Sequence, residues 1–97
     1  MIKLTEVCEL LSASSAAKRK YTLREVYINP EHVVSLHEAS SYEQKLSEGL
    51  LPAGLDQRQR FTRLTLNRGM SGLDVVVVGP PEMIEDSLKR ARGVLHG

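Results

Sequence analysis

Four consecutive valines, Val75 to Val78, stand directly before Gly79-Pro80-Pro81. A strand with one wet face alternates apolar and polar residues, whereas this run is β-branched and apolar at every position. It therefore predicts a central strand covered on both faces. Proline cannot donate to a sheet ladder, so Gly79-Pro80-Pro81 ends the strand. The same prolines preset φ for a first helical turn. The spacing of Ile84, Leu88, Ala91 and Leu95 then predicts an amphipathic helix from Pro81 to about Arg92, with Gly93 as its stop. Its acids (Glu82, Glu85, Asp86) come first and its bases (Lys89, Arg90, Arg92) last, which complements the helix dipole.

The rest of the chain reads as further strands around this unit. Ile2 to Leu11 begins with the alternation of a half-buried strand, a pattern that degrades after Val7. Ser12 to Lys20 is small, polar and then basic, as in an exposed loop. Tyr21 to Ile28 predicts a second strand. Asn29-Pro30-Glu31-His32 predicts one tight turn, with Asn29 as side-chain cap. Val33 to Leu36 resumes as a third strand, so Tyr21 to Glu38 is either two strands meeting at a corner or one strand with a large bulge. Phe61 to Asn67 predicts the next strand, with Thr62, Leu64 and Leu66 on one face and Phe61, Arg63 and Thr65 on the other. The glycine-rich turn Asn67 to Gly72 joins it antiparallel to the valine strand.

Residues 39–60 form an insert. Ser40 and Glu43 have the spacing of a capping box, and Gly49 suits the end of a short helix. The loop after it carries Leu50, Leu51 and Leu55. A leucine-rich loop either covers one end of the sheet or offers a partner-binding flap, and these three residues are the candidate partner site.

Composition narrows the function classes. The chain has 97 residues, enough for one domain with a thin core, and with no Trp and one Phe that core is aliphatic. Thirteen basic and 12 acidic residues give a formal charge of +1, unlike a dedicated polyanion binder. The one cysteine, Cys8, cannot form an internal disulfide and fits a reducing compartment. No apolar run approaches the roughly 20 residues of a membrane span. The start MIKLTEV lacks the apolar core of a signal peptide. The expected location is a cytoplasm, that of a bacterium or of an infected host cell.

Catalytic patterns are missing from the sequence. His32, His37 and His96 have no metal-ligand spacing. Ser71 lacks the frame of a nucleophile elbow. Gly69 and Gly72 turn a hairpin and do not open a helix, so they make no phosphate loop. No catalytic, cofactor-binding or metal-binding residue is assigned, and no cofactor is expected. One charge asymmetry stands out: Arg58, Arg60, Arg63 and Arg68 fall in a stretch with no acid between Asp56 and Asp74. With Phe61 they are the candidate nucleic-acid face. The alternative is a solvated sheet face whose arginines pair with nearby glutamates.

Several segments, in order, resemble the small FlbD-like proteins associated with bacterial flagella. They are Met1-Ile2-Lys3-Leu4-Thr5, Tyr27 to Leu36 with its Asn29-Pro30 turn, and Thr62 to Gly69 followed by Val75 to Leu88. That family begins with I-K-L-T and runs through an N-P/A-x-x-I turn, a glycine hairpin and a strand-proline-helix ending. The likeness covers about half the chain. The basic loop after the first strand, the insert at 39–60 and Gly79-Pro80-Pro81 depart from the family pattern. The resemblance implies a non-enzymatic accessory protein and carries over no catalytic residue.

The expectation is one α+β domain. A bent antiparallel sheet or partly closed small barrel carries a C-terminal amphipathic helix and a short inserted helix. Its expected function is that of a non-catalytic protein-interaction module, a small adaptor or regulator, encoded by a phage or associated with motility. The partner would be another protein or a second copy of the chain, with no membrane. The alternatives are a nucleic-acid-binding regulator and a small oligomeric virion or assembly component.

Overall fold

A computed structural model describes residues 1–10, 20–68 and 71–96, with the side chains of 10, 68, 71 and 92–96 left aside. The chain forms β1 (Ile2–Leu10), β2 (Lys20–Ile28), a 3-10 turn (Pro30–His32), β3 (Val33–Glu38), α1 (Ser40–Ser47), β4 (Phe61–Arg68), β5 (Ser71–Val78) and α2 (Pro81–His96). The five strands make one antiparallel sheet in the order β2-β1-β5-β4-β3. The valine strand is therefore the central one. It pairs with β4 from Phe61↔Val78 to Arg68↔Ser71. The hairpin tip, Gly69-Met70, and the basic Lys18-Arg19 lie outside the described residues, as does most of the Ser12–Lys20 loop.

The sheet is bent because its connections demand it. β2 and β3 are the two outer strands, yet only Asn29 to His32 separates them. Fully extended, the steps from Ile28 to Val33 reach about 17 Å. Crossing a flat five-stranded sheet takes about 19 Å, and a 3-10 turn reaches less than extended chain. The two edges must therefore curl toward each other. Asn29 holds the corner by accepting the Glu31 amide on its side-chain oxygen at 3.0 Å, with Pro30 buried at the turn's first position. The bulged-single-strand alternative for Tyr21 to Glu38 is thereby replaced by the corner, since β2 and β3 lie at opposite edges.

Both faces of β5 are covered. Val75 and Val77 pack with Ile28, Leu64, Ile84 and Leu88 beneath α2. Val76 packs with Val7, Tyr21, Ala39, Leu46, Leu51 and Phe61 beneath the insert. Gly79 makes the turn into α2 at φ +126°, and a Cβ there would press on Ile84 Cδ1 at 3.2 Å. Its amide donates to the Arg60 carbonyl at 2.8 Å, and its carbonyl accepts from the buried Thr62 hydroxyl at 2.8 Å.

Two local expectations shift. α2 continues through Gly93 to His96, since a glycine inside a helix costs only about 1 kcal/mol relative to alanine. Ile84 and Leu88 are buried and Ala91 is half-buried, while the Leu95 side chain lies outside the described residues. The capping box does not form. Ala39 donates its amide to Phe61 at 2.9 Å, as an extension of the sheet, and the helix starts at Ser40, one residue earlier than Ser40 as cap would require. Ala39 takes the cap position without a side-chain bond. The Gly49 stop is as expected, at φ +75°. The Gly49 amide donates to Leu46 at 3.1 Å and the Leu50 amide to Lys45 at 3.0 Å, the two bonds of a Schellman ending.

Candidate interaction groove

β1 matches β2 along nine residue pairs but meets β5 in register at one, Glu6↔Val77. The β1–β2 and β4–β5 hairpins part beyond that point and leave a groove of about 420 Å³. Glu6, Arg24, Val26 and Ile28 form one wall, and Leu66, Leu73 and Val75 the other. Met1, Tyr27, Asn29 and His32 close the end near the corner turn. Its volume lies within the usual range of binding clefts.

Sheet parity places the groove's polar pair. Glu6 and Arg24 are opposite each other on β1 and β2, and Arg24 Nε donates to Glu6 Oε1 at 3.0 Å. The Glu6 side chain is 14% exposed and that of Arg24 67%, so the carboxylate lies in the wall and the guanidinium on the rim. The hydrogen bond and charge of Glu6 hold the Arg24 guanidinium more firmly protonated. Burial first, then the Glu6 carboxylate, pushes the neighbouring Cys8 thiol up, which disfavours the reactive thiolate. Among the described residues no group of three or more His, Cys, Asp or Glu could hold a metal ion. The groove thus offers apolar contact and one charged pair, chemistry suited to binding.

The residues singled out in the sequence lie elsewhere and do not converge. Leu51 is buried in the chain's own core, Leu55 is half-buried against it, and Leu50 alone of the three is exposed. Arg58 is exposed beside Asp56, whose side chain accepts the Arg58 amide at 2.8 Å. Arg63 is exposed on β4 opposite His37. The Arg68 side chain is outside the described residues. Arg60 is committed to two carboxylates, donating from Nε to Glu38 at 2.8 Å and from Nη1 to Glu82 at 2.7 Å. The groove residues Met1, Tyr27 and Leu73 carry no signal in the sequence that marks them. Tyr27 shares strand parity with the buried Tyr21, and parity does not reveal where a covered face ends.

The Arg60 bonds have a pH signature. Arg60 holds Glu38 below the usual carboxylate range. Glu82 is held low first by its own backbone amide and then by Arg60. A carboxylate depressed in the folded state adds stability above its unfolded pKa, about 4.3, and loses it as pH falls through the folded value. Arg60→Gln is therefore expected to melt below wild type at neutral pH, with the two melting temperatures converging on acidification. Calorimetric scans over an acid series check this, and a gap independent of pH would show that the ion pairs contribute nothing.

Comparison with protein-family models, with curated proteins and with solved structures gave no match. No helix of the described residues is long and apolar enough to cross a membrane.

Proposed function

We propose that this chain is a non-catalytic protein-interaction module, a small adaptor or regulator, which docks another protein in the groove between its two hairpins. One observation carries the reading. Of the six large apolar residues exposed to solvent among those described, three line this one groove, Met1 (81%), Tyr27 (62%) and Leu73 (44%), while Val34, Leu50 and Met83 lie outside it. Apolar residues scattered singly over a surface need no explanation, but a cluster rimmed by polar groups marks an interaction site. Tyr27 and Arg24 both line the groove, and tyrosine and arginine are residue types enriched among those that dominate binding energy at interfaces. The likeness of the Ile2-Lys3-Leu4-Thr5 start and the Asn29-Pro30 turn to the FlbD-like accessory proteins is in keeping with such a role.

The test pairs wild type with Tyr27→Glu/Leu73→Glu. Both sites are exposed, so the variant is expected to melt within a few degrees of wild type, exposed substitutions costing about 0.5 kcal/mol or less each. In affinity capture from the source cells, a protein retained by wild type is expected to be lost by the variant. Identical protein sets for the two would remove the groove as the docking site. Light scattering distinguishes a second copy from a different partner. A dimer that the double substitution dissociates makes the partner the chain itself.

A further inference from the structure

We propose that the insert is closed by a proton clasp, in which Glu43 of α1 keeps its proton and shares it with Glu38 of β3, so that rising pH loosens the insert from the sheet. Arg60, just before β4, bonds Glu38 at the end of β3 and Glu82 in the first turn of α2, and Glu43 on α1 lies within hydrogen-bonding reach of Glu38. Three carboxyl groups thus face one guanidinium. Arg60 spends its donors on two of them. Nε and Nη2 reach Glu38 at 2.8 and 3.0 Å, while Nη1 and Nη2 reach Glu82 at 2.7 and 3.4 Å.

Glu43 is the group left over. Its Oε2 is shut off from solvent and has no donor within reach among the described residues. A buried carboxylate oxygen without a donor is costly, and a neighbouring carboxylate raises the cost. Retaining the proton removes both penalties, because the neutral acid can then donate to Glu38. Burial first, then the hydrogen bond and charge of Glu38, hold Glu43 above the usual carboxylate range, against a smaller opposing effect of Arg60. Glu82 joins this cluster through its bonds to Arg60 and also feels the Glu38 charge. On Glu43's own helix, the Lys45 ammonium lies 4.9 Å from the centre of the Tyr42 ring.

The sign follows from linkage. The folded state binds the Glu43 proton more tightly than the unfolded state, so stability falls as pH rises above about 4.3, until the folded value is passed. The effect concentrates in the insert because α1 is only eight residues long and has no side-chain cap at its start. Opening would uncover Leu46, Leu51 and Phe61.

Hydrogen exchange read by mass spectrometry, with protection factors corrected for the intrinsic pH dependence, tests the clasp. In wild type, α1 protection is expected to fall with rising pH by up to about tenfold for each unit by which Glu43 is raised, while α2 protection holds. Glu43→Gln keeps a neutral donor to Glu38 and is expected to hold its α1 protection constant. Parallel wild-type and Glu43→Gln profiles would overturn the clasp. Should that variant fail to fold, carboxyl-resolved NMR titration of wild type decides, and a Glu43 midpoint at or below about 4.3 overturns it.

Discussion

Val77→Asp is expected to abolish cooperative folding. Val77 is fully buried at the centre of the middle strand, packed beneath α2 with Leu64, Ile84 and Leu88. Its registered neighbours are Thr62 on β4 and Glu6 on β1, so the new carboxylate would gain no cation and would sit opposite an existing acid. Burying an unpaired charge costs several kcal/mol even after relaxation. A domain of this size has about 5–15 kcal/mol in total. Val77→Ala provides the control, since it removes packing on the order of 2 kcal/mol without burying a charge. Far-ultraviolet circular dichroism with thermal melting reads both. A soluble Val77→Asp protein with the wild-type melting temperature would refute the two-sided burial of β5.

Phe61→Ala is expected to cost about 3–5 kcal/mol. Phe61 is the chain's one phenylalanine and is fully buried at the start of β4. Its ring centre lies 6.2 Å from that of Tyr42 on α1, and Tyr42 in turn meets Tyr21 of β2 edge-on at 5.9 Å. This aromatic row fastens the insert to two strands of an otherwise aliphatic core. Truncation therefore removes both buried area and the seat of α1. Urea denaturation measures the loss, and amide exchange should show α1 opening at lower free energy than α2. A loss below about 1 kcal/mol would mean that the insert repacks without the ring.

Features with local causes are legible in the amino-acid sequence alone. The valine run declares a strand covered twice, because no polar residue interrupts it. Gly79-Pro80-Pro81 declares a strand end and a helix start, Asn29-Pro30 a capped turn, and Gly49 a helix stop with positive φ. Each depends on a few consecutive residues, on backbone angles, or on a simple period. The antiparallel β4–β5 pairing belongs with them, since a short glycine turn permits little else.

The order of the strands is decided by the tertiary structure. That β2 and β3 occupy opposite edges, and that the short corner between them bends the whole sheet, depends on which strands find each other across the chain. Period assigns a side chain to a face, but it does not say how far that face is covered. For this reason Tyr21 is buried while Tyr27 stands at the groove, and Leu51 is core while Leu50 faces solvent. Charge placement follows the same logic. Glu43 has the capping-box spacing from Ser40, yet Ala39 takes the cap position, the helix begins one residue earlier, and the Glu43 carboxyl is left beside Glu38. Arg60 belongs by sequence to a run of arginines, yet in the fold it lies within reach of Glu38 and Glu82, each 22 residues away along the chain. Such meetings are set by sheet curvature and by packing between distant segments, and those exist only once the chain has closed on itself.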